Sequence, residues 1–208
     1  MSREADATLE RLRARLASGR PARKALPPWE PPQASDFRKG LPVLAFDGSL
    51  SDFGWVAVEV SHAGVTVGER GSIRPLLAGE TGYWSVWRKS LLLSQELHRL
   101  RWKYSLTETI ACEAPWIENN PGMRTESTLI AGTIAYTVFY QSAFIPVAAQ
   151  HASSVLCGNR KHDKAEVRDA VARYVPEAGT RRWNEGQRDA LAVGLTCLWD
   201  LAREPSGK

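Results

Sequence analysis

VLAFDGSLSDFGWVAVEV, residues 43–60, holds two β-strand signatures and the turn between them. The apolar run LPVLAFD (41–47) ends on an acid, Asp47. DFGWVAVEV (52–60) is rich in valine and aromatic residues, which suit a pleated, half-buried surface. After the turn-like SHAG, GVTVGERGSI (64–73) continues the pattern. Together the three runs predict consecutive strands in an antiparallel meander.

Downstream the period changes. WSVWRKSLLLSQELHRLRW (84–102) places Val86, Leu93, Leu97 and Leu100 on one helical stripe. TIACEAP (109–115) reads as a small-residue strand ending beside Glu113, and AFIPVAA (143–149) as another strand. Between them, STLIAGTIAYTVFYQ (127–141) predicts a helix whose Ala131, Gly132 and Ala135 let its backbone lie near a sheet. DKAEVRDAVARY (163–174) is a helix with Val167, Ala170, Val171 and Tyr174 on one face and a capping box of Asp163 with Glu166. The last helix starts near Asn184, with Gln187 as a second capping partner and Leu191, Leu195, Leu198 and Ala202 on its buried stripe. The order β-β-β-α-β-α-β-α-α implies an α/β fold: a mixed sheet, part antiparallel meander and part parallel, flanked by helices.

Ahead of this domain (39–208), residues 1–38 read as an N-terminal arm and linker. Leu9, Leu12 and Leu16 give 4–18 helical character, and the basic, proline-rich GRPARKALPPWEPPQ follows. Such an arm is either a simple tail or a contact for DNA phosphates or a partner. The chain of 208 residues has 43% hydrophobic and 24% charged residues, enough for a sizeable core without disulfides. No run is long and apolar enough to cross a bilayer, and the charged opening lacks a signal-peptide segment, so a cytoplasmic, nucleoid-associated protein is expected. Cys112, Cys157 and Cys197 show no CxxC pairing and are expected as small buried or half-buried residues. Most of the eight tryptophans are expected in the core. The net charge of +4 permits nucleic-acid binding without demanding it.

Three acids stand in mostly apolar or small-residue contexts: Asp47 in AFDGS, Glu113 in ACEAP and Asp189 in NEGQRDALAVGL. A carboxylate there is costly unless paired or bound to a cation. Taken singly, each has an ordinary reading as a turn residue or a complement to a helix N-terminus. Taken together, two at the ends of central strands and one early in a helix that can lie over those ends, they suit Mg²⁺ or Mn²⁺, which prefer oxygen ligands. Two such ions about 3.5–4 Å apart support phosphodiester cleavage.

These segments carry a family resemblance. VLAFDGSLSDFGWVAVEV, ACEAPWIENNPGM, HDKAEVRDAV and RDALAVGL resemble, in order, four motifs of RuvC-type Holliday junction resolvases, from about residue 41 to about 203. The resemblance implies a ribonuclease H-like fold, two Mg²⁺ or Mn²⁺ ions per site, and a homodimer acting on four-way DNA junctions to leave 5′-phosphate and 3′-hydroxyl ends. It matches Asp47, Glu113 and Asp189 to metal-binding carboxylates. It matches Lys164, with Lys161 and Arg160 beside it, to cations that meet the DNA backbone near the scissile phosphate. Trp116 matches an aromatic that stacks on bases, a contact worth roughly 1–3 kcal/mol. The chain departs from the family at Gly186, where a fourth ligand, Asp or His, is usual. Glu185, four residues before Asp189 and on the same helix face, is the candidate replacement. The short chain and single catalytic domain suit a phage or mobile element.

Two other readings fit parts of the sequence. A junction-binding protein of the same fold with little or no nuclease activity is kept open by Gly186. An actin-like ATPase is suggested only by DGSLSDFG, and the chain is too short for two such domains and lacks a second phosphate loop. Serine-nucleophile and zinc-protease chemistry fit poorly, because no GxSxG or HExxH occurs. His62 and His98 are expected at the surface, and His162 in a solvated loop.

Overall fold

The computed structural model describes residues 29–48, 50, 52–74, 83–104, 109–114, 123–140, 142–158 and 163–204. The expected helix at 4–18, Trp116, Arg160, Lys161 and His162 lie outside the described residues.

The strands are β1 (Val43–Gly48), β2 (Phe53–Ser61), β3 (Gly64–Ile73), β4 (Thr109–Ala114) and β5 (Ala143–Ala148). The helices are α1 (Tyr83–Lys103), α2 (Met123–Val138), α3 (Ala149–Cys157), α4 (Lys164–Ala172) and α5 (Glu185–Arg203), with short 3-10 turns at Ala34–Asp36 and Pro176–Gly179. One sheet runs β3-β2-β1-β4-β5. The β1–β2 and β2–β3 pairs are antiparallel, while β1–β4 and β4–β5 are parallel. This is the mixed sheet the element order implies. Pro146 sits in β5, an edge strand, where a missing N–H is tolerated.

Strand alternation splits the core in two. Val43 and Ala45 of β1, Val56 and Val58 of β2 and Ala111 of β4 pack with α3, α4 and α5. Leu44, Phe46, Phe53, Trp55, Ile110 and Cys112 pack with α1 and α2 on the other face. Helix α5 lies close to the sheet because its contact positions are small. A Cβ at Gly194 would come within 2.7 Å of Val58 Cγ1 and 3.0 Å of Ala45 Cβ. Residues 32–38, read from the sequence as the end of the arm, pack on this unit. Phe37 is buried edge-on against Tyr174, whose hydroxyl donates to the Pro32 carbonyl, and Arg38 N–H donates to the Leu198 carbonyl.

Several expectations are corrected. Helix α3 is an additional element. Val86 is exposed, because the buried stripe of α1 is Leu93, Leu97 and Leu100. Ala202 is exposed in the last turn of α5, past the edge of the core. Ala131 and Ala135 make the close approach of α2, whereas Gly132 faces open space. Of the described tryptophans, Trp55 and Trp183 are buried, while Trp29, Trp87 and Trp102 are exposed. Cys112 and Cys197 are buried and Cys157 half-buried, all as free thiols, and His62 and His98 are at the surface, as expected.

Candidate active site

Alternation aims the first two acids. Asp47 follows Val43 and Ala45 on the α5 face of β1, and Glu113 follows Ala111 on the same face of β4. The two strands are parallel neighbours with Phe46 opposite Cys112, so the next residues of each, Asp47 and Glu113, are side by side. The turn after Asp47 needs glycine: Gly48 has φ +132°, and a Cβ there would overlap the backbone of Asp52 and Phe53.

Two capping boxes place the rest. The Asp163 carboxylate accepts from Glu166 N–H at 2.8 Å, and Asp163 N–H donates to the Glu166 side chain at 3.3 Å. Lys164 is therefore the first residue of α4. The Asn184 side-chain oxygen accepts from Gln187 N–H at 2.9 Å, with Asn184 N–H donating back to Gln187 at 3.2 Å. This starts α5 at Glu185 and puts Asp189 one turn further on. Lys164 Nζ then bridges both acids of that helix, at 2.7 Å from Glu185 Oε1 and 2.6 Å from Asp189 Oδ2. Glu185 is at the rim and Asp189 deeper, with side chains 63% and 20% exposed.

The electrostatics follow from this crowding. Burial, then the hydrogen bond and charge of Glu113 and the charge of Asp189, hold the Asp47 carboxyl well above the usual carboxylate range, against the pull of Lys164. Burial also raises Asp189. The Lys164 ammonium works against that, and the charges of Glu113 and Glu185 add to it. For Lys164, burial acts to lower the value, but Asp189 and Glu185 outweigh it and the ammonium is held more firmly than usual. Four carboxylates thus form two pairs. Asp47 is hydrogen-bonded to Glu113, and Asp189 and Glu185 flank one ammonium.

This donor set is all oxygen and anionic, which fits a hard divalent cation. Lys164 already stands as a positive charge between two of its members. In this arrangement no three His, Cys, Asp or Glu side chains among the described residues are gathered tightly enough to grip one ion. Asp47, Glu113, Asp189 and Glu185 are the residues that could hold such a cation.

The structure therefore brings together Asp47, Glu113, Asp189, Lys164 and Glu185. Sequence reasoning missed the way α5 is seated. A Cβ at Gly54, the residue opposite Asp47, would overlap the carbonyl group of Gly186. Asn184 Nδ2 also donates to Ser72 Oγ, tying the start of α5 to β3. A lone glycine in each of two distant segments carries no sign that they meet.

Thermus thermophilus RuvC matches this structure with a TM-score of 0.57 at 18% identity, over 77% of this chain and 95% of that one. The chain has the RuvC fold. The same protein in complex with Holliday junction substrate matches at 0.62 and 13% identity, over 79% and 97% of the two chains. The yeast mitochondrial Holliday junction resolvase matches at 0.54 and 11%, over 80% and 83%. No family model and no curated protein sequence matches the chain. Within the RuvC fold, Gly186 stands where the resemblance leads one to expect a ligand. A Cβ at Gly186 would sit 3.4 Å from Gly54 Cα, an ordinary contact. Gly54 is thus the position that cannot change, whereas a Cβ alone would be tolerated at 186.

Proposed function

We propose that this protein is a metal-dependent endonuclease that cuts branched DNA, four-way junctions above all. The observation that carries the reading is the convergence of Asp47, Glu113 and Asp189, with Lys164, on one face of a RuvC fold at the strand ends. The solved neighbours are a RuvC in complex with Holliday junction substrate and a yeast Holliday junction resolvase.

Mg²⁺ or Mn²⁺, two ions per site, would supply water activation and charge neutralisation in the cleavage. Asp47, Glu113 and Asp189 would hold them, with Glu185 in place of the ligand absent at Gly186. Lys164, next to Asp189 and Glu185, would meet the scissile phosphate and offset charge building there. Arg160 and Lys161 would extend that contact along the backbone, and Trp116 would stack on bases at the junction. Two copies would present two sites to one junction. Uncovered apolar residues on α1 and α2, among them Leu91, Trp102, Leu129 and Tyr136, support that pairing.

The test is cleavage of labelled four-way junction, flap and linear duplex side by side in Mg²⁺ and Mn²⁺. Paired symmetric nicks in the junction are expected. Equal cutting of linear duplex would overturn the structure selectivity. Glu185→Ala should weaken metal binding and cleavage about tenfold or more, as expected for loss of one charged ligand; wild-type rates would remove Glu185 from the site.

One observation favours a second reading, a junction-binding protein that does not cut. Lys164 closes on Asp189 and Glu185, and Gly186 supplies no ligand. Tight junction binding without nicks in either metal is its signature.

A further inference from the structure

The turn that leads into α5 exposes Arg181 and Arg182 side by side. Among the described residues, neither guanidinium pairs with an acid. Several other surface cations are neutralised internally, Arg74 by Asp52, Lys103 by Glu69, Arg99 by Glu96 and Arg168 by Asp169, and the exposed Arg38 and Lys39 lie at the far end of the sheet from the acids. An uncompensated arginine pair therefore stands out as available to an external anion.

The turn is also held rigidly. Arg188, from α5 itself, donates Nε to the Ala178 carbonyl at 2.8 Å and Nη2 to the Thr180 carbonyl at 2.7 Å. Thr180 Oγ1 donates to the Glu177 carbonyl at 2.7 Å. Trp183 is buried and anchors the far end, with the Arg70 guanidinium 4.5 Å above its ring. Arg70 belongs to β3, so a third cation lies behind the exposed pair.

Its position relates it to the acids. Asp47, Gly54 and Ser72 form one cross-strand row over β1, β2 and β3, and Asn184, two residues after Arg182, bonds Ser72. Strands are spaced about 4.8 Å apart, so the β3 end of this row is about 10 Å from Asp47. That is about three axial phosphate steps of one DNA strand. Lys164 approaches the acids from α4, whereas the arginine turn flanks them from β3.

We propose that Arg181 and Arg182, backed by Arg70 on Trp183, form a docking edge for the phosphodiester backbone of a DNA arm. This rests on the nuclease reading and adds where the strand leaves the acids. Guanidinium groups match phosphate oxygens in pairs, and a turn fixed in advance loses little freedom on binding. Three acids flanking this edge are already engaged, Asp52 by Arg74, Glu69 by Lys103 and Tyr104, and Glu185 by Lys164, while Glu177 is an exposed carboxylate.

The test compares R181A/R182A with R38A/K39A in binding of a synthetic four-way junction across a salt series. Arg38 and Lys39 are also exposed and basic, but they lie at the other end of the sheet, near Leu198 and Val60. Both variants lose the same charge. R181A/R182A should bind about tenfold more weakly or worse, and its salt slope should fall by about 2, the loss of two phosphate contacts. Its thermal midpoint and Mn²⁺ affinity should match the wild type. R38A/K39A should bind as the wild type does. An unchanged affinity and slope in R181A/R182A, with the wild type binding, would overturn this inference alone. Equal weakening in both variants would also overturn it, as an effect of net charge. A wild type that binds no junction would overturn the nuclease reading along with it.

Discussion

The two faces of the sheet are built differently. On the α5 face the helix backbone touches the strands: Gly194 rests on Ala45 and Val58, and Gly186 on Gly54. Every residue from Ala190 to Leu198 is buried. On the opposite face α1 and α2 each bury one stripe, Leu93, Leu97 and Leu100 on one and Ala131, Ala135 and Val138 on the other. They leave Leu91, Trp102, Leu129 and Tyr136 uncovered. The lesson is that the acids sit where the chain has least freedom to shift. Close backbone contact fixes α5 over the strand ends, so Asp189 and Glu185 are aimed by packing. The looser face has apolar area left to bury.

The tight face is most sensitive at Gly54. Any Cβ there meets the Gly186 carbonyl, and backbone cannot move aside as a flexible side chain would. Gly54→Val should cost at least the upper part of the usual overpacking range, about 1–3 kcal/mol. For a domain of this size each kcal/mol lowers the thermal midpoint by about 2–4 °C. A thermal melt at wild-type temperature would show that α5 is not seated on β2 as described.

A smaller effect comes from the acids themselves. Burial and Glu113 raise Asp47, so the folded protein holds this proton more tightly than the unfolded chain does. Above the usual carboxylate range, near pH 4, stability from this group falls as pH rises, until the raised value is passed. Asp47→Asn should therefore raise the metal-free melting temperature at neutral pH and flatten its dependence on pH. A lower midpoint at neutral pH would contradict the crowding. The same sign implies that cations displace protons when they bind, so metal affinity should rise with pH.

The smallest effect on stability is expected on the looser face. Leu91 is 45% exposed on α1, so Leu91→Glu should change stability by no more than about 0.5 kcal/mol. If two copies pair through that face, sedimentation should show the variant as monomer and the wild type as dimer. Equal mass for both would remove this face from the assembly.

The sequence carried the acidic half of this account well. Asp47 and Glu113 were legible because each closes a short run of apolar or small residues that reads as a buried strand. The helices that carry Lys164 and Asp189 were legible because Asp163–Glu166 and Asn184–Gln187 announce where they begin, while Lys164 itself was marked only by the family resemblance. Helix α3 was not legible. It starts at Ala149, directly after β5, with an alanine at its N-cap and no side-chain cap to mark the change. The tryptophans misled for another reason. Bulk and hydrophobicity favour burial, but they do not say whether the chain's own fold or something else covers the ring, and Trp102 is 84% exposed. The seating of α5 and the arginine turn depend on contacts between segments more than a hundred residues apart, such as Asn184 with Ser72. Local pattern does not encode these.

The α5 face is proposed to carry a cutting site. Incubating a labelled four-way junction in Mg²⁺ with the wild type and with Asp47→Asn tests it most directly. Paired nicks are expected from the wild type, with a loss on the order of 10³-fold in the variant, the scale of several kcal/mol of charge stabilisation. Equal cutting by the two proteins, or an intact junction bound by the wild type in both Mg²⁺ and Mn²⁺, would contradict it.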